Sequence, residues 1–354
     1  MRHKLAVLVG AAIVAMLTTM ATPAVSAAAD TPMWSAPANV GNAGTSATPA
    51  MTQCQTGITW MVWKGLGNDA NMYYSWLVAG GTWAAQQLVG GGGGTSTGPT
   101  VTCNNEVLIV AWKGVGNDQH MYYTSANGGN SIGVGPAGPL QWAPQQLVTD
   151  EGSTDESPSM TLSMSGDPFE TAYLAWHIPN STGVEMAKLT GYTGLWQPVS
   201  LVGSAATDRS PTLTDDLPGS GTVRATVGLI WPQAGNQQNR YSNFISGQWT
   251  NSAPLVGGSA AALASTLLDG PTGTAETFVA WQGSGNDTRI WYTLNDGSGW
   301  QPQQVVPTGG PTTTGLAAID GADPNYPYRQ DVIWLAWRGP QGQIEYIYGR
   351  NSSS

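Results

Sequence analysis

Six tryptophans, Trp63, Trp112, Trp176, Trp231, Trp281 and Trp337, each close an apolar run, and the pattern repeats along the chain. Ten residues after each comes a second large side chain: Tyr73, Tyr122, Met186, Tyr241, Trp291 and Ile347. A further tryptophan follows in five copies, at Trp83, Trp142, Trp196, Trp249 and Trp300. The sixth copy has none, but an unmatched Trp34-Ser-Ala-Pro-Ala-Asn-Val40 stands at the other end. The period averages about 55 residues, a size that among β-repeats belongs to propeller blades.

Each copy divides into four short elements. A Ser/Thr-Pro lead, as in Thr48-Pro49 and Ser157-Pro158, opens an inner strand. The apolar run before the opener is the second strand; Leu108–Trp112 and Thr277–Trp281 are apolar at consecutive positions, so both faces are buried. Met72–Ser75, Met121–Thr124 and Ile290–Thr293 form the third, and Trp83–Val89, Trp142–Val148 and Trp300–Val306 the fourth. β-Branched and aromatic residues fill these runs, with Gly/Asn/Asp clusters between them. The expectation is an all-β, six-bladed propeller over residues 30–354. The C-terminus gives the last blade three strands and Trp34–Val40 the outer one, covering the edge of an open ring. Ser131–Leu140 reads as an insertion in the second blade.

Residues 1–29 read as an export signal: Arg2, His3 and Lys4, then an apolar stretch, then Val25-Ser26-Ala27 at a cleavage site. A secreted, extracellular protein without membrane insertion is expected. The formal charge of −10 becomes more negative once Arg2 and Lys4 are gone, which disfavours nucleic acid and anionic membranes. Cys54 and Cys103 hold near-equivalent places in copies one and two. In an oxidising compartment they are read as a disulfide.

The chemistry-bearing residues cluster between the second and third strands. Asn68-Asp69, Asn117-Asp118 and Asn286-Asp287 each follow a glycine, with Lys64 and Lys113 upstream of the first two. These residue types make hairpin turns, and they also offer hydrogen bonds to sugar hydroxyls. The openers suit a core between blades. Trp76 and Trp291 are tryptophans that the other copies do not repeat, and Trp76 leaves its strand toward a turn, so both are candidate sugar platforms. The expected ligand-binding set is therefore Lys64, Asn68, Asp69, Trp76, Lys113, Asn117, Asp118, Asn286, Asp287 and Trp291.

Catalytic and metal motifs are missing. There is no HExxH, GxSxG, zinc-type Cys/His cluster or DxDxDG loop, so no cofactor or metal is expected. Glu106, Glu170, Glu276 and Asp331 precede four openers by five or six residues, as turn caps or, in a glycosidase, as axial acids. Gly90–Gly94 has no helix after it and reads as a flexible connector.

Trp112-Lys-Gly-Val-Gly-Asn-Asp118, then Tyr122-Tyr123 and Trp142-Ala-Pro-Gln-Gln-Leu147, resembles the repeats of bacterial propeller lectins of the Photorhabdus type. Similar repeats occur in secreted actinobacterial propellers of unassigned role. The likeness spans nearly the whole chain after the leader and is close in copies one, two and five. It implies non-catalytic binding of fucosylated or O-methylated glycans in pockets between blades. Thr293–Trp300 is similar to the Asp-box turn of sialidases, with Asn295 and Gly299 departing from it. Fungal fucose-binding propellers place an Arg, a Glu and an aromatic residue in every blade, where this chain offers only Arg240, Arg289 and Glu345. A neutral-glycan lectin is the expected function, with a glycoside hydrolase or a protein-interaction scaffold as alternatives.

Overall fold

Six antiparallel sheets stand around one axis, their inner strands in contact in the order of the chain and the sixth against the first. The computed structural model describes residues 32–54, 56–104, 106–128, 134–149, 152–163, 171–190, 195–215, 227–269, 275–323 and 332–350, with no helix among them. The protein is a six-bladed β-propeller. Blade one comprises Ala50–Gln53, Thr59–Lys64, Met72–Leu77 and Gln87–Leu88. The export signal, Glu170 and Asp331 lie outside the described residues, as do residues 131–133 of the insertion.

The ring closes as the repeat arithmetic requires. Blade six takes Leu316–Gly321, Val332–Arg338 and Gln343–Arg350 from the C-terminus. Met33–Trp34 and Ala38–Gly44 both pair with its third strand, Trp34 opposite Gly349 and Asn39 opposite Glu345. The outer strand thus arrives in two pieces and reaches past Val40. Elsewhere the outer strands are shorter than expected: Gln87–Leu88, Gln146–Leu147 and Gln304–Val305 are strand, while their tryptophans precede it. The inner strands begin at the residue after the proline of their Ser/Thr-Pro leads, because a proline has no N–H for the ladder.

Every residue of the second strands Thr59–Lys64, Thr171–His177 and Val227–Pro232 is buried. The six openers form the core between blades, none more than 3% exposed. The ten-residue interval, by contrast, does not track one structural position. Trp63, Trp112 and Trp281 pair with Tyr73, Tyr122 and Trp291, but Trp176, Trp231 and Trp337 pair with Glu185, Arg240 and Glu345. Shorter hairpins in blades three, four and six shift the register.

The next residue along the third strand carries the contact between blades. Tyr74, Tyr123, Tyr241, Tyr292 and Tyr346 each meet edge-on the outer tryptophan of the following blade: Trp142, Trp196, Trp300, Trp34 and Trp83. Ring centroids are 5.4–5.9 Å apart. Such pairs add about 0.5–1.5 kcal/mol beyond the area they bury. Between blades three and four the position is Met186, and Trp249 rests on Phe244 of its own blade.

A stricter repeat lies in the crossovers from one blade to the next. Thr45, Thr95, Thr154, Thr207, Ser259 and Thr312 are all fully buried or nearly so. Each hydroxyl bonds the backbone two residues on. Each backbone N–H docks on the hairpin tip of the preceding blade, as in Thr95 N to Ala70 O at 2.8 Å. Nearer the axis, side chains staple neighbouring inner strands: Met160 N donates to Thr100 Oγ1 and Leu213 N to Ser159 Oγ. Cys54 and Cys103 are joined, with Cα atoms 5.3 Å apart, and tie blade one to blade two.

Candidate ligand-binding site

The Lys-Gly-x-Gly-Asn-Asp segments are self-contained turns. Lys64 is buried, and its Nζ donates to Ser46 Oγ and to the carbonyls of Gly65, Gly67 and Asp69 at 2.8–3.2 Å. Lys113 repeats this with Ser96 Oγ and the carbonyls of Gly114 and Gly116. Burial lowers the pKa of both ammonium groups. His177 and Arg338 fill the same place in blades three and six, bonding Asp155 and Thr313 of their crossovers. The position therefore pins crossover to hairpin.

The aspartates face back into the same turns. Asp69 accepts from Asn71 N and Nδ2 and from Tyr73 Oη, bonds that lower its pKa. Asp118 is pushed up by burial, but bonds from His120 and Tyr122 outweigh this and lower it overall. Arg289, together with Trp291 Nε1, holds Asp287 well below the usual carboxylate range. Asn68, Asn117 and Asn286 stand exposed at the hairpin tips. Trp291 is half-buried, with the Arg289 guanidinium 4.8 Å above its ring. Trp76 is half-buried too, stacked on Tyr74 and Trp60, with Gly135 of the insertion against its edge.

Two predictions follow from these bonds. Lys113→Met takes the donor from Ser96 Oγ and from the carbonyls of Gly114 and Gly116, of which only the Gly114 bond is fully buried, and is expected to destabilise the fold by about 1 kcal/mol in denaturant titration. Because Asp69, Asp118 and Asp287 titrate lower folded than unfolded, their contribution is complete above the ordinary carboxylate pKa. It is lost as pH falls through the folded values, from about pH 5 downward. Tm measured down that range is expected to fall less steeply in the triple Asp→Asn variant.

The candidate residues meet only within their own turns, Lys64 with Asp69 and Trp291 with Asp287, and they line none of the cavities described below. What repeat reasoning missed is a chamber of about 380 Å³ at the seam, between the closing strand and blade one. Trp63, Trp83 and Ala84–Gln86 form one side, and Val40–Ala43 the other. Its lining holds no ionisable side chain. Ser75 fixes the Trp83 side by donating to Ala84 O at 2.7 Å. Trp63 is fully buried, and its indole N–H has no acceptor.

The chamber arises from a bulge. Asn39 faces Glu345 and Gly44 faces Gln343, so four closing-strand residues, Val40 to Ala43, lie opposite Ile344 alone. Gly41 takes φ of +50° within it. Bulges of this kind are over-represented beside binding sites. At the matching places in blades two and five a glycine packs directly on the glutamine and the opener. A Cβ on Gly93 would fall 2.4 Å from Gln145 Oε1 and 2.8 Å from Trp112, and one on Gly257 would similarly meet Gln303 and Trp281. The run Gly90–Gly94 is thus packed against Trp112 and Trp142 rather than a free connector; only Gly92 has open space around it.

The axis offers less chemistry. Small and hydroxyl side chains line it, with Glu156 and Arg209 at one mouth and Asp215 and Asp320 at the other. Burial raises the pKa of Glu156. Glu106 sits in the turn between the first two strands of blade two at φ of +70°, and Glu276 on a second strand opposite Leu268. Neither borders the axial cavities. Asp296 of the Asp-box-like turn bonds Ser298 locally. No cluster of metal-ligating side chains occurs among the described residues.

No family model and no curated protein matches the chain. Solved structures do. An α-L-arabinanase of Penicillium chrysogenum, complexed with arabinobiose, is similar with a TM-score of 0.60 and 12% identity, over 90% of this chain and 99% of that one. The Aleuria aurantia lectin, a six-bladed β-propeller with a novel fucose recognition mode, gives 0.57 at 12% identity, over 84% and 89%. The leech intramolecular trans-sialidase gives 0.59 at 9% identity, over 93% and 71%. At these identities the likeness shows the fold.

Proposed function

We propose that the protein is an exported, non-catalytic carbohydrate-binding propeller, and that its principal sugar seat is the seam chamber. The observation that carries this is an uncharged cavity between the closing strand and blade one, lined by the half-buried Trp83 with Ser75, Asn42 and Gln86. The half-buried indole of Trp83 suits the C–H side of a pyranose, and the amides of Asn42 and Gln86 suit its hydroxyls. An uncharged lining favours neutral sugars, and fucosides among them agree with the resemblance to Photorhabdus-type lectins and the likeness to a fucose-recognising propeller. The exposed Asn68, Asn117 and Asn286 remain candidates for rim contacts. The disulfide agrees with export.

A glycan array probed with the mature protein is expected to report fucosylated or other neutral glycans. Trp83→Ala removes the half-buried ring of the lining, so affinity is expected to fall about tenfold, with circular dichroism checking that the fold is kept. An array without signal, or release of the aglycone from fluorogenic glycosides, overturns the reading.

A further inference from the structure

We infer that the sugar seat at the seam is thermodynamically linked to docking of the closing strand, so that a bound sugar clasps the ring shut. This rests on the proposed seat and adds a consequence for its regulation. One wall of the chamber is Val40–Ala43, and the other belongs to blade one. When Ala38–Gly44 lifts from blade six, half the lining leaves with it and no chamber remains. A ligand that binds only the docked state favours that state by mass action.

The segment has the features of a strand that opens locally. Of Ala38–Gly44 only Val40 and Ala43 are buried. Its pairing to Gln343–Arg350 is interrupted over the very four residues that line the cavity. Few buried apolar groups and a broken ladder set a low free energy of opening. The stretch before it is better held: Ser35 N donates to Tyr348 O, Tyr348 N to Ser35 Oγ, and Thr308 Oγ1 to Ser35 O. Thr45 N bonds Gly342 O on the far side. Opening is therefore confined to a strap anchored at both ends, with the chamber beneath its middle. Val227–Pro232, fully buried in blade four, is the internal reference.

Amide hydrogen exchange of the full wild-type protein, with methyl α-L-fucopyranoside as probe and occupancy followed by tryptophan fluorescence, tests the linkage. If opening of the strap abolishes the seat, exchange at the paired residues Ala38, Asn39 and Gly44 slows by 1 + [L]/Kd. At ten times Kd that is about elevenfold, with the exchange of Val227–Pro232 unchanged. Binding with no slowing at Ala38, Asn39 and Gly44, or with equal slowing in blade four, overturns the linkage and leaves the lectin reading standing. No binding of the fucoside overturns the fucoside seat and the linkage with it.

Discussion

Trp231→Ala is expected to destabilise the propeller by about 3–5 kcal/mol, the range for deleting a fully buried large aromatic side chain. The ring is packed among Tyr173, Ala175, Leu213, Leu229 and Phe244, on both sides of the interface between blades three and four. In place of the edge-on Tyr–Trp contact of the other five, that interface has Tyr173 edge-on to Phe244, and both rings belong to the cluster that the opener fills. With roughly 2–4 °C lost per kcal/mol in chains approaching this size, Tm falls by about 10 °C. Calorimetry of the variant checks this. A fall within a degree or two of wild type contradicts the assignment of the openers to the core.

Removing the disulfide is the second large effect. Cys54 and Cys103 are separated by 49 residues, and closing a loop of that size contributes up to about 4 kcal/mol by restricting the unfolded chain. Both sulfurs lie in the core cluster shared by blades one and two. Cys54→Ala with Cys103→Ala is expected to lose 2–4 kcal/mol in guanidinium titration, keeping its β-sheet circular dichroism. The bond constrains the unfolded state, so the six sheets persist without it. Equal stability with and without the bond contradicts the loop-entropy account.

Blade number, ring closure, the disulfide and the buried openers were legible in the sequence because each is a repeat property. A tryptophan at the end of an apolar run reads the same wherever it recurs. Register was not, because hairpins of unequal length turn a constant interval into different strand positions: Met186 and Ile347 sit one and two residues beyond the partners of Trp176 and Trp337. The tightest repeat, the crossover hydroxyls from Thr45 to Thr312, was hidden because Ser and Thr abound in this chain and the signal lies in their burial.

The site was legible in part. Lys64 and Asp69 recur with Lys113 and Asp118 because they build a turn, and nothing in their spacing separates holding a carbonyl from holding a sugar. The chamber has no linear signature. Val40–Ala43 and Ala84–Gln86 are small or neutral residues that gain meaning only when the chain's two ends meet and the closing strand bulges opposite Ile344.

A crystal structure of the protein soaked with methyl α-L-fucopyranoside puts the account to its hardest trial. The pyranose is expected beside Trp83, between the closing strand and blade one. Sugar bound instead at the axial mouth near Glu156 and Arg209, with the seam empty, would contradict it.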